Sequence, residues 1–302
     1  MTICGKEAME TLARRYPQLY LDPRNEGAEA ACLNAVRRGI MPETEDLLHF
    51  HGDSRDRLEI LETPAGPVEV LTLYDRADFE LFLRIIAYRC GPQEIPKTQG
   101  ASTLDGIINW PKIREHQEQW LREQREKGIA EPDWEAEFAA FTADRKNYRD
   151  LLVVLSAGPY SNVPAEAAGL SEEAWITASY TIRKYHECTH VVCRRLYPEQ
   201  ISAVWDELTA DAVGLYAAFG RFEPEREEQF LGIRDGRYTG GRLQNYTEDA
   251  CDPGKTDRLA EKISAVLQEF KKIIEKKAPE DPFALIPVLE SRQKDLWEIE
   301  NA

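Results

Sequence analysis

The segment from Ser171 to Pro198 constrains the fold more tightly than any other part of the chain. Ser171 followed by Glu172 and Glu173 reads as a helix start, since a serine oxygen accepts amide hydrogens of the first turn and acidic side chains suit its positive end. Pro198 marks the stop. Inside this capped segment His186, Glu187, Cys188, Thr189 and His190 spell HExxH. Four residues advance a helix by about 6 Å and rotate it about 40° beyond a full turn, so both imidazoles project from one face, at a separation that two ligands of one metal can span. Glu187 then points about 100° round from His186, beside such a metal without having to be its ligand.

A catalytic zinc needs a third protein ligand and an open position for water. Cys193 shares the histidine face but lies roughly 10 Å along the axis from His186, so it reads as a core thiol. The next helical stretch, Pro198 to Gly220, offers a better donor. Ile201, Trp205, Leu208, Ala212, Leu215 and Phe219 form its apolar stripe, with Glu207 and Asp211 one turn apart along the edge. Half-inward carboxylates need partners, and a dication together with the free nitrogen of a ligand histidine would satisfy both. Asp206 and Glu199 are the substitutes for Glu207, and Gly214 falls where two helices could approach closely.

HECTH followed by Glu207-Leu-Thr-Ala-Asp211 resembles the HExxH plus ExxxD signature of the gluzincin peptidases, the thermolysin-like branch of the zincins, over about Leu151 to Gly220. The resemblance implies one zinc ion on His186, His190 and Glu207, with Glu187 as base and proton shuttle for a zinc-activated water and Asp211 orienting a ligand histidine. It also implies a peptide or protein substrate laid along an exposed strand edge, for which Leu151 to Leu155 or the loop through Tyr160 is the candidate. No histidine follows His190, so the family's usual second electrophile has no counterpart. Tyr238, Tyr246, Arg237 and Arg242 are the candidates for stabilising an oxyanion, because each can donate a hydrogen bond. The competing readings are a zinc-binding interaction protein without turnover and a zinc hydrolase of a non-peptide amide.

The rest of the chain reads as an α+β protein, predominantly helical. Helical spacing runs from Lys6 to Arg38 with a break at Pro23, and Arg57 to Leu61 with Val68 to Leu73 reads as a β-hairpin. Asp78 to Tyr88 resumes helical spacing, the Pro, Gly, Ser and Thr-dense stretch from Gly91 to Ile113 suggests a boundary, and a charged helix covers Arg114 to Lys127. Two parts follow, an α+β accessory region over 1–112 and the zinc domain over 113–302, the latter closing with helices near Asp257 to Lys277 and Pro282 to Ile299. His49 and His51 read as a strand or loop pair, and His116 as a surface residue.

With 302 residues, 42% hydrophobic and 30% charged, the chain can bury a sizeable core. A net charge of -16 opposes phosphate backbones and anionic lipid, so neither nucleic acid nor a membrane is an expected partner. Met1 to Arg15 has no apolar run of the signal-peptide kind and no stretch approaches the roughly 18 apolar residues of a spanning helix, so a cytoplasmic location is expected. Six cysteines without a CxxC pair, Cys251 among them, suit reduced core thiols. Nothing in the sequence sets an oligomeric state.

Overall fold

A computed structural model of the chain describes residues 2–43, 45–199, 202–246 and 253–297. Ile201, Cys251 and Ile299, used in the sequence reading, lie outside the described residues. The protein is α+β and mostly helical, and it divides into two compact units. The first comprises Met1–Leu61 and Val68–Ser156, the second Glu62–Pro67 and Ala157–Ala302.

The first unit is built on a five-stranded sheet. Its strands are β1 (Thr2–Cys4), β2 (Arg57–Leu61), β3 (Val68–Leu73), β4 (Ala101–Ile108) and β5 (Arg149–Ser156), in the order β1-β2-β3-β5-β4. Only β3 and β5 run parallel. A parallel neighbour requires a long crossover, and the chain from β3 to β5 supplies it with α3 (Arg76–Ile86), α4 (Trp110–Glu126) and α5 (Trp134–Ala143) as well as β4. The helices α1 (Lys6–Arg15) and α2 (Ala28–Arg38) complete the unit. Leu12 of α1, Tyr16 just beyond its end, and Phe79 and Phe82 of α3 share a core with Leu71, Leu152 and Val154 of the sheet.

Three expectations are corrected here. The division falls after Ser156, not between 112 and 113, because β5 enters the middle of the sheet and ties residues 113–156 to the first unit. Leu151 to Leu155 is a strand, but β3 flanks it on one side and β4 on the other, so it has no free edge to pair with a substrate. The supposed boundary stretch contains β4, whose polar Ser102, Thr103 and Asp105 mask the strand pattern and whose Gly106, at φ +86°, allows the bulge between Asp105 and Ile107.

The second unit is helical around α6 (Glu172–Leu196) and α7 (Ala203–Phe219). It continues with α8 (Pro224–Leu231), the short hairpin β6 (Ile233–Arg234) and β7 (Arg237–Tyr238), and α9 (Pro253–Lys277). The single helix expected over Pro282 to Ile299 is broken. A 3-10 turn at Pro282–Leu285 precedes α10 (Ile286–Glu290) and α11 (Gln293–Leu296), since Pro287 has no amide hydrogen to give and fits only the first turn of a helix. Among the described residues no helix is long and apolar enough to cross a membrane.

Candidate metal centre

The cap and stop signals around HExxH act as their chemistry dictates. Ser171 Oγ accepts the Ala174 amide hydrogen at 3.3 Å, and the helix ends at Leu196, ahead of Pro198. Trp175, Ser179, Ile182, His186, His190 and Cys193 are all buried along one side of α6. Ser202 caps α7 by accepting the Trp205 amide, and Gly220, left-handed at φ 66°, ends it. Ile182 meets Gly214, His186 meets Asp211, and His190 meets Asp206 and Glu207, so the two helices run antiparallel.

This packing brings His186, His190 and Glu207 together, with ligand atoms all within 4.8 Å of one another. His186 Nε2 and His190 Nε2 are 3.0 Å apart, His190 Nε2 is 3.3 Å from Glu207 Oε1, and His186 Nε2 is 3.6 Å from Glu207 Oε2. Ligands about 2.0–2.2 Å from a tetrahedral zinc are separated by about 3.3 Å, so the three residues fit that ion without rearrangement.

The outer partners explain why these atoms face each other. His186 Nδ1 lies 2.8 Å from Asp211 Oδ1, and His190 Nδ1 lies 2.8 Å from Asp206 Oδ2. An ionised carboxylate only accepts, so each Nδ1 carries a proton and each Nε2 is turned inward, where it can offer a lone pair to a cation or carry a second proton. Left bare, two lone pairs and a carboxylate at 3.0–3.6 Å repel, so a proton or a metal ion belongs among them. Glu207 Oε2 is moreover buried with no hydrogen-bond partner, a costly state for a carboxylate oxygen that a metal would relieve. Burial works against charge on His190, yet its bonds to Asp206 and Glu207 outweigh that and raise it to about 10. Burial likewise opposes the charge on Glu207, but His190 and His186 hold its carboxyl well below the usual range. Both shifts report the same preference for positive charge at this point.

A second tier holds Asp211. The Tyr160 hydroxyl donates to Asp211 Oδ1 at 2.6 Å, lies 2.9 Å from His186 Nδ1 and accepts from Arg242 Nη1 at 3.0 Å, while Arg242 Nη2 is ion-paired with Asp211 Oδ2. Despite complete burial, Arg242 and His186 keep Asp211 ionised. Sequence reasoning missed Tyr160 in this role, since it arrives from a loop with no motif around it. Asp206 was weighed only as a spare ligand. Its signal was available, because two ligand histidines need two Nδ1 acceptors and Asp211 can serve only one.

The expected oxyanion donors are dispersed. Arg242 turns its terminal nitrogens to Tyr160 and Asp211, so it braces the histidines from behind. The Tyr238 hydroxyl donates to Gly241 O at 2.9 Å and accepts from Gly241 N at 3.0 Å, closing its own loop, and Arg237 sits exposed on β7. Tyr246 remains, with a hydrogen bond to Glu207 among its interactions. Glu187 is half-buried on α6, and Glu199 is exposed. His116 is not a free surface residue, since it stacks on Phe141 at 4.0 Å and contacts Glu137 at 2.8 Å.

Another cluster, His51, Asp75 and Asp78, is a loop anchor. Asp75 caps α3 through the Ala77 amide and Asp78 accepts from the His51 and Gly52 amides, so local bonds already occupy both carboxylates. His49 Nε2 bonds Leu19 O at 2.9 Å.

A model for a family of unknown function (DUF7005) matches residues 4–289. The chain belongs to this family. The match spans both compact units and takes in every candidate ligand and bracing residue named above. No curated protein and no solved structure matches the chain.

Glu227 on α8 is fully buried, and neither carboxyl oxygen has a hydrogen-bond partner among the described residues. Burial, with Asp211 adding to it, raises its pKa well above the usual value. The folded state therefore holds a proton that the unfolded chain releases above about pH 4.5. Stability is full below that pH and falls as pH rises, by about 1.4 kcal/mol per unit while the proton is retained. Glu227→Gln is expected to flatten the decline between pH 5 and 8 in chemical denaturation. Glu290, raised to about 7, acts with the same sign, so some slope persists. A variant profile as steep as the parent's would mean that Glu227 ionises freely.

Proposed function

We propose that this protein is a gluzincin-like zinc hydrolase that cleaves amide bonds, with peptides as the first substrate class. The observation that carries this reading is the inward convergence of His186 Nε2, His190 Nε2 and Glu207, each imidazole held by its own carboxylate on the far side. A bound zinc supplies Lewis acidity toward a carbonyl oxygen and lowers the pKa of water. His186, His190 and Glu207 would hold it, the imidazoles through Nε2 because Asp211 and Asp206 keep protons on Nδ1. Glu187, one residue beyond His186, takes the proton from the attacking water and returns it to the leaving amine. Tyr246, which adjoins Glu207, is the candidate donor for a developing oxyanion once its hydroxyl leaves that carboxylate.

A second reading, zinc binding without turnover, is favoured by one observation: Arg242 and Tyr238, two of the expected oxyanion donors, are engaged elsewhere. A peptide library and a panel of acyl arylamides, incubated with the zinc-loaded protein, separate the readings. Cleavage that falls roughly a thousandfold in a Glu187→Ala variant still carrying zinc supports hydrolysis. Zinc bound by the parent with no cleavage in either panel leaves the second reading, and cleavage of arylamides alone points to a non-peptide amide.

A further inference from the structure

Two thiols from distant parts of the chain meet at the C-terminal end of α3, in the first unit. Cys32, fully buried on α2, lies with Sγ 3.8 Å from the Ile85 carbonyl oxygen. Beyond α3 the chain turns back, and the Cys90 amide donates to the Arg84 carbonyl at 2.9 Å. That turn holds Arg89 and Cys90 in the left-handed region, at φ 54° and 62°, a strained backbone for residues that carry a Cβ. It sets the Cys90 thiol against the Cys32 thiol, and the two are hydrogen-bonded but not bridged.

Of the two residues only Cys90 has any surface. It is 7% exposed and lines a cavity of about 630 Å³ together with Glu29, Leu33, Arg84, Gly91 and Pro92. Cys32 has no exposed surface, so it is reached through Cys90. So little surface favours a small oxidant over a bulky disulfide. The hydrogen bond from Cys90, with the Arg89 charge adding to it, brings the Cys32 thiol below its ordinary value in spite of burial, while the same bond and burial raise Cys90. Cys32 is therefore the sulfur that gives up its proton first, and the base toward which the Cys90 proton moves.

We propose that Cys32 and Cys90 form a hydroperoxide-sensitive dithiol, in which Cys90 takes up the oxygen and Cys32 resolves it to a disulfide joining α2 to the end of α3. Once Cys32 has lost its proton, it accepts that of Cys90 as the Cys90 sulfur attacks the peroxide. The O–O bond breaks, an S–O bond forms on Cys90, and the departing hydroxide takes up the proton held on Cys32 and leaves as water. Cys32, again a thiolate, attacks the Cys90 sulfur, the S–O bond breaks, and a second hydroxide leaves as water with a proton from solvent. Two thiols are oxidised by two electrons and one hydroperoxide is reduced. A thiol reductant reverses the modification by exchange at the disulfide.

The test uses the full chain, reduced and then freed of reductant, with EDTA present so that its outcome is independent of zinc. Hydrogen peroxide is added to the folded protein and, in parallel, to the protein in urea. Catalase then removes it, remaining thiols are blocked with N-ethylmaleimide in urea, and tryptic peptides are mapped without reduction. In the folded protein, peptides 25–37 and 90–97 are expected to appear joined, to be lost together as separate species and to be restored by dithiothreitol, while Cys188 and Cys193 stay thiols. In Cys32→Ser, Cys90 is expected to carry a sulfenic acid that dimedone traps; in Cys90→Ser, Cys32 is expected to stay a thiol. Should Cys32→Ser fail to fold, the parent map and Cys90→Ser carry the comparison. Cys32 and Cys90 both left as thiols while the exposed Cys4 is oxidised, a bridge that forms only in urea, Cys90 passing to sulfinic acid without joining Cys32, or Cys32 oxidised in folded Cys90→Ser would each overturn the proposal.

Discussion

Reconstituted with zinc, the protein is expected to carry one ion per chain, and His190→Ala and Glu207→Ala to carry none. Each substitution removes one of the inward-facing donors and leaves two, too few for a stable tetrahedral site. The energetic consequence should be large, since an ion that binds only the folded state adds RT ln(1 + [L]/Kd), about 4 kcal/mol at a thousandfold excess over Kd. For a protein of this size that corresponds to a rise in Tm of roughly 6 °C on adding zinc, reversed by a chelator. Asp206→Asn is expected to keep the ion but bind it about 10- to 100-fold more weakly, because His190 loses a charged partner on Nδ1. Elemental analysis beside scanning calorimetry makes the comparison. A parent that takes up no zinc, or variants that retain it, would remove the basis for the hydrolase reading.

Gly214→Ala is expected to destabilise the protein, although helix propensity alone predicts the opposite. In an exposed helix interior the change would add about 1 kcal/mol. Here a Cβ at position 214 would come within 2.6 Å of the Ile182 carbonyl oxygen, which is backbone and cannot rotate away. Moving α6 and α7 apart to accommodate it costs about 2 kcal/mol net, and the contact is one turn from the His186–Asp211 pair. Zinc affinity should therefore fall together with stability. Urea denaturation and a competitive zinc titration read the two effects, and an unaltered stability would mean that the helices do not touch at this glycine.

Much of the centre was legible in the chain because helices convert spacing into direction. His186 and His190 share a face by geometry alone, and the Glu207 and Asp211 pair repeats the logic on the next helix. The hairpin of β2 and β3 was equally readable from its β-rich runs and the Pro-Ala-Gly-Pro turn between them. Strand β4 was not, since its buried positions are interspersed with Ser, Thr, Asp and Gly, and its order comes from pairing with β5 rather than from its own residues.

Local chemistry thus determined the two helices that carry the candidate ligands and the inward carboxylates, because capping and periodicity act over a few residues. Which group braces which was decided only in three dimensions. Tyr160 reaches Asp211 across 51 positions and Arg242 crosses 31, while Tyr238 closes its own loop. Hydrogen bonds of that kind depend on where packed helices and loops bring side chains to rest, and no short-range pattern records it. The division after Ser156 has the same origin, since a strand belongs to the sheet that supplies its neighbours and not to the stretch of sequence around it.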